Sequence, residues 1–294
     1  MKRAELLDYL HLTISNFYRL DSDAALDHHL QLMLEQYRRK PFFFKSLLKY
    51  DRLMVVLSLL AFHFHDPMTP LSRVKAFCER RGYLTRNTLE SYFSFFLISG
   101  YMHVSPHPDD ARQRIYRPSK TAIDLATQLI SAHLIPAQKL IPDAQPWQRT
   151  EPTTFLRQYF SGFAHLLDAD VLLDGLLPGA KWIMNRDAGH LPMLSLYLDT
   201  RGFCSNDGGY KVSSYAELSS RLGVSTMHVA RLVKEGESKG YFRTQGSLVE
   251  MRPAFAELVR HTMAIYFAVT RVSMELGSYA LESEILQPGA GCLG

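Results

Sequence analysis

The sequence predicts a mainly α-helical chain carrying two helix-turn-helix units, each followed by a small β-hairpin and flanked by further helices. Three observations lead there. Apolar residues recur at helical spacing and are interrupted by single glycines, as at Gly82 and Gly223. A Gly-Tyr pair, Gly100-Tyr101 and again Gly240-Tyr241, closes a helical pattern and opens an extended one. These landmarks occur in the same order in both halves.

The clearest element is "SSYAELSSRLGVSTMHVARLVKEGESKGYF", residues 213–242. Tyr215, Leu218 and Leu222 share one face of a short helix, which Gly223 ends by accepting a positive φ. Ser225 is placed to cap a second helix whose apolar face is Val229, Leu232 and Val233. Thr226, Met227, His228, Arg231 and Lys234 are left to solvent or a partner. Two short helices joined by a tight turn make a helix-turn-helix, whose second helix suits a DNA major groove. After Gly240, residues 241–244 and 248–251 read as strands about a Gln245-Gly246 turn, with Arg243 on the first. Before the unit, "NDGGY" (206–210) reads as a turn and 211–213 as a strand.

A hairpin directly after such a helix is a wing. The segment 216–260 resembles the winged-helix domain of the MarR family of bacterial regulators, in which a polar recognition helix ends in a Lys-Gly pair before an apolar strand; here the pair is Lys239-Gly240. Gly236 departs from the pattern, since such helices usually keep a Leu there.

The first half divides in the same way. Residues 53–63 form an apolar helix, Pro70 opens a second near 72–80, Gly82 breaks it, and Thr85 caps a third over 86–99. Residues 101–105 then pair with 114–117 across the tip "PHPDDARQ". This hairpin also resembles the MarR wing, where an Asp-x-Arg near the tip leads into an apolar strand and a further helix: Asp110-Ala111-Arg112 leads to Ile115 and "RPSKTAIDLA". Ala111 stands where the family has a middle Arg, and Arg117-Pro118 replaces its Leu-Thr. The Asp can fix the loop while Arg112 reaches a minor groove or phosphate.

Leu20–Leu30 and Leu167–Leu177 share Leu and Asp at matching positions at an offset of 147; the Gly-Tyr junctions are offset by 140 and Arg117-Pro118 and Arg252-Pro253 by 135. A slowly shrinking offset suggests a duplication, so that one chain imitates a two-fold dimer. Domains are accordingly expected at 1–147 and 148–286, each with its own core, with a disordered tail at 287–294. The implied function is a sequence-specific transcription regulator that binds a double-stranded DNA operator. Two non-identical helices would read two different half-sites: Arg86, Asn87, Thr88 and Ser91 with wing residues Arg112 and Arg114, and Ser225, Thr226, His228, Arg231 and Lys234 with Arg243. The resemblance also implies a pocket for a small aromatic effector, for which 47–64 and 159–182 are apolar and aromatic enough.

Composition agrees without deciding. The 294 residues carry a net charge of +4, with 19 Lys and Arg against 14 Asp and Glu in 1–147 and 14 against 15 beyond; nucleic acid is permitted as a partner, mainly of the first half. No apolar run reaches a membrane span, the N-terminus has no apolar signal core, and Cys78, Cys204 and Cys292 are odd in number, so a cytoplasmic protein without disulfides is expected, pseudo-dimeric as a monomer or further dimerised. His28-His29, His63-x-His65 and His103 with His107 lack metal-site spacing and read as ordinary histidines; no metal, cofactor or enzymatic motif is expected. Competing readings are a winged-helix scaffold that binds protein and a plasmid replication initiator. The bulky run Tyr92, Phe93, Phe95, Phe96 and Leu97 suits burial against a partner or another helix, and "YRRKPFFFKSLLKYDR" (37–52) reads first as core phenylalanines beside a solvated basic face and second as a clamp on DNA phosphates next to the first unit.

Overall fold

The computed structural model describes residues 2–142, 151–201, 214–245 and 248–286. Among these residues the chain is mainly helical, and its strands pair as two separate antiparallel hairpins. None of the described helices is long and apolar enough to cross a membrane.

Two long helices lead. In α1 (Arg3–Arg19) the buried residues Leu6, Leu10, Ile14 and Phe17 recur every three or four positions and make one stripe. In α2 (Asp23–Arg39) Leu26, Leu30, Met33, Leu34 and Tyr37 do the same. Pro41 starts the short α3 (Pro41–Leu47), where its fixed φ and missing N–H cost nothing.

The first unit follows. Helix α4 (Tyr50–His65) stops at Asp66 because the residue before Pro67 disfavours helical geometry, and the Asp66 carboxylate accepts the Met68 N–H at 2.9 Å to turn the chain. Helices α5 (Leu71–Arg80) and α6 (Arg86–Ile98) come next, then β1 (Met102–Pro106) and β2 (Arg114–Pro118), registered Met102 with Pro118 through Pro106 with Arg114. A single bridge from Pro70 to Ile115 adds the segment before α5 to this sheet. The Tyr116 hydroxyl donates to the Leu59 carbonyl at 2.7 Å, locking the hairpin onto α4. Helix α7 (Lys120–Leu140) leaves the sheet, capped by Ser119.

Helix α8 (Pro152–Ala169) opens the second half, followed by short turns α9 (Leu173–Leu176) and α10 (Lys181–Met184). The second unit is α11 (Leu191–Arg201), α12 (Tyr215–Leu222), α13 (Thr226–Ser238), β3 (Phe242–Gln245), β4 (Leu248–Met251) and α14 (Pro253–Leu286). Its hairpin pairs Phe242 with Met251 through Gln245 with Leu248. The order helix, helix, helix, hairpin, helix therefore occurs twice. The "NDGGY" turn, the strand expected at 211–213, the Gln245-Gly246 turn's second residue, the tail, Cys204 and Cys292 lie outside the described residues; Cys78 is a buried free thiol.

Packing joins the halves. Helix α1 lies on α14, with Phe17 and Phe267 rings 5.9 Å apart and the Tyr9 hydroxyl on Glu275 at 2.5 Å. Helix α2 supports α11 through the Tyr197 hydroxyl on Asp23 at 2.7 Å, and α4 meets α8 through stacked Phe64 and Phe160 at 5.7 Å. Helices α8 and α14 cross so closely that a Cβ on Gly162 would sit 1.9 Å from the Ser273 carbonyl, and one on Gly277 would sit 1.7 Å from that of Gln158. No side chain fits at either position.

Two expectations are corrected by this packing. In place of separate cores, the described residues form one continuous buried cluster spanning both halves, because α1 and α2 spend their apolar stripes on elements of the second half as well as on α7. The three phenylalanines of 42–44 are not all core: Phe44 is buried, Phe43 half-buried and Phe42 92% exposed. In a helix as short as α3, Phe44 and Leu47 take the inner face, and a residue two positions from Phe44 falls on the opposite one.

Candidate nucleic-acid interface

The turn between α12 and α13 forms as the local sequence requires. Gly223 ends α12 at φ +58°, and the Ser225 hydroxyl accepts the His228 N–H at 3.1 Å to start α13. At the other end of α12, Ser214 and Glu217 cap each other reciprocally. Tyr37 of α2 sits beneath Gly223, so the first half supports the turn of the second unit. Val229, Leu232 and Val233 are buried as their spacing predicts.

The opposite face of α13 presents Thr226, Met227, Arg231 and Lys234 to solvent, beside exposed Arg243 on β3. Glu237 accepts both the Thr244 N–H at 2.7 Å and its hydroxyl at 2.6 Å, which fixes the hairpin against this helix. His228 sits apart from the others. It is half-buried in a cleft with Asp187, Arg186 and Lys49, and burial first, then the neighbouring Arg186, Lys45 and Lys49, keep its pKa below the ordinary histidine value against the opposing pull of Asp187. The cleft is held by the Lys49–Asp187 pair at 2.8 Å and by the Arg186–Glu235 pair. Gly236 is explained here: a Cβ would meet the Phe242 ring at 2.4 Å, so Phe242 occupies the space that a larger residue would need.

On α6, Arg86 and Asn87 are exposed in the first turn and make no hydrogen bond through their side chains among the described residues. Thr88 is half-buried. Thr85 holds the cap position, but its hydroxyl meets the Thr88 hydroxyl at 2.9 Å and not a backbone N–H, which corrects the capping expected of it. The Ser91 hydroxyl turns back to the Asn87 carbonyl at 3.0 Å, and Glu90 on the same exposed face pairs with Lys75 at 2.6 Å. At the hairpin tip Asp110 accepts the Arg112 N–H and the Gln113 side-chain amide, each at 3.0 Å, so the acid does fix the loop and leaves Arg112 exposed. Arg114, opposite Pro106, is exposed too.

The far end of α6 differs in character. Tyr92, Phe93 and Phe96 are buried, whereas Phe95 and Leu97 are partly exposed and Ile98 is 87% exposed. Phe43 stacks near Phe95, with ring centres 6.5 Å apart, and leads to exposed Phe42. An apolar patch thus lies beside the first unit.

Behind that unit lies a cavity of about 70 Å³ between α4, α6 and α7, lined by Leu47, Leu57, Phe96, Tyr116, Leu129 and Phe160 among others and almost wholly apolar. The segments 47–64 and 159–182, expected to line an effector pocket, contribute to it and to a neighbouring cavity of about 50 Å³ that reaches His133 and Tyr266. That second cavity leads to a group of side chains unforeseen in the sequence: His29, His133 and His190, all buried and within reach of one another. Their separations along the chain, 104 and 57 residues, carry no local signal. Comparison with known proteins finds no matching family model, no similar curated protein and no matching solved structure.

Proposed function

We propose that the chain is a cytoplasmic, sequence-specific DNA-binding transcription regulator built from two winged-helix units that arose by duplication. The observation that carries this reading is the repeated path: each half runs helix, helix, helix, hairpin, helix, with a glycine at φ +70° (Gly100) or +78° (Gly240) between the third helix and the hairpin. In each unit the third helix exposes polar and basic residues, Arg86 and Asn87 at the start of α6 and Thr226, Arg231 and Lys234 along the first three turns of α13, beside a hairpin that carries exposed arginine. Arg231, Lys234 and Thr226 are the best-presented readers on α13, and Arg86 and Asn87 on α6, with Arg112, Arg114 and Arg243 meeting phosphate or minor groove. Different residues on the two helices call for an asymmetric operator. The apolar cavity behind the first unit is the place for a small aromatic effector, whose entry would shift α6 and the hairpin relative to α7.

Mobility shift on the DNA flanking the chain's own gene, at two salt concentrations and with competitor, tests this. A specific complex that weakens with salt, by a slope of about −0.9 per phosphate contacted, and that Arg231→Ala disrupts is expected. Binding abolished equally by any competitor would remove the regulator reading.

The exposed Phe42, Phe95 and Ile98 favour a second reading, in which the first unit docks a protein partner while the second reads DNA or neither does. Retained DNA binding in Ile98→Ser would assign the patch to something other than DNA.

A further inference from the structure

Three imidazoles from distant parts of the chain converge in the core. His29 comes from the middle of α2, His133 from α7, and His190 from the residue before α11. One ring nitrogen from each lies within 4.8 Å of the others. The Nε2 atoms of His29 and His190 are 2.8 Å apart, and the ring centres of His29 and His133 are separated by 4.6 Å.

The hydrogen bonds around the rings determine what the nitrogens offer. His29 Nδ1 lies 2.7 Å from the Ala132 carbonyl and His133 Nδ1 lies 2.9 Å from the Leu129 carbonyl. A carbonyl only accepts, so both Nδ1 atoms carry the proton, and in the neutral rings both Nε2 atoms present lone pairs. If the rings only hydrogen-bond one another, the remaining N–H lies between His29 and His190, and His133 Nε2 and His190 Nδ1 stay buried without any partner. Two orphaned ring nitrogens in an apolar core are unfavourable. A backbone carbonyl holding one nitrogen while the other faces inward is also the support that metal-ligating histidines use.

We propose that His29, His133 and His190 form a binding site for a divalent cation of the zinc class, which ties α2 and α7 to the start of α11. The chemistry of the donor set selects the metal class: imidazole alone, with neither thiolate nor carboxylate in the group, suits zinc and its first-row neighbours and not calcium or magnesium. Burial keeps all three rings neutral, which is the ligating form; His133 is pushed down to about 4 and His190 to about 3, the latter also by His133. Three protein nitrogens leave one position of a tetrahedral set. The cavity of about 50 Å³ that His133 and Tyr266 line has room for the water that fills it. The site stands independently of the DNA-binding reading.

Metal binding to the full chain tests it. Chain stripped with chelator is incubated with Zn²⁺ or Co²⁺ and desalted; bound metal is measured by elemental analysis, with thermal unfolding and the visible spectrum of the Co²⁺ form as further readouts. Expected are one ion per chain, a higher melting temperature, and the intense absorption of four-coordinate Co²⁺. His133→Gln and His190→Gln should each weaken binding by about 100-fold or more, beyond the loss for a group that merely supports a ligand. The exposed-histidine variants His65→Gln and His103→Gln should bind as the parent does. Should the buried variants fail to fold, the Co²⁺ spectrum of the parent decides alone. A six-coordinate spectrum, binding that survives both substitutions, or no retained metal would overturn the site.

Discussion

The two units follow the same path with different surfaces. In the first, α6 starts with Arg86 and Asn87 but ends in exposed Phe95, Leu97 and Ile98, and its acid Glu90 is tied to Lys75. In the second, the exposed face of α13 is polar and basic apart from Met227, and a buried glycine, Gly236, lets Phe242 fold in beneath it. The first hairpin is long, with a tip fixed by Asp110; the second is held to its helix by Glu237. The order of elements is the same in both units where glycines set the turns, while the exposed faces differ because few contacts constrain them. A repeated path can thus carry two different surfaces.

The largest way to break this arrangement is to separate what the units share. Gly162→Leu or Gly277→Leu places a side chain where backbone already lies, so little or no folded chain should be recovered, and Gly162→Ala should cost on the order of 3 kcal/mol in a urea melt. A milder perturbation of the same core is acid. The histidines His29, His133 and His190 have folded pKa values below the 6.5 of the unfolded chain, so with chelator present the unfolded state takes up protons first. Stability should be full above about pH 6.5 and fall below it, by up to about 1.4 kcal/mol per pH unit for each ring, until the folded rings titrate; denaturation at pH 7 and pH 5 measures the difference.

Recognition tests sharpen the contrast directly. Arg231→Ala should cost about 1–3 kcal/mol of operator affinity if the arginine pairs a guanine, and Arg86→Ala should weaken only the other half-site. Equal losses at both half-sites would show that neither helix reads bases. Capping provides a smaller contrast: Ser225→Ala removes an observed cap bond and should destabilise by about 1 kcal/mol, whereas Thr85→Ala, which removes a hydroxyl that bonds only Thr88, should cost less. Smallest of all, Ile98→Ser and Phe42→Ser should leave stability within about 0.5 kcal/mol, since both side chains are already in water.

Much of the local architecture was legible in the residues. Gly223 and Ser225 announced the turn between α12 and α13, Asp110 announced a fixed hairpin tip, and the spacing of Val229, Leu232 and Val233 announced the buried side of α13. Each depends on interactions within a few residues, where backbone sterics and capping act without help from the rest of the fold. The bulky run on α6 was legible only in part, because periodicity separates faces but does not say how far along a helix its neighbours extend. Phe42 shows the same limit. For the candidate interface, the sequence ordered the residues along their helices, but the half-burial of His228 came from the loop at Asp187, which no spacing connects to it.

Helix class, the Ser225 cap and the Gly223 turn were therefore determined by the sequence itself, through short-range geometry. Tertiary structure alone decided that the halves share one core, that Gly162 and Gly277 allow α8 and α14 to cross in contact, and that His29, His133 and His190 meet. Those outcomes depend on which apolar stripe packs against which, and residues a hundred positions apart acquire a common environment only when the helices that carry them do.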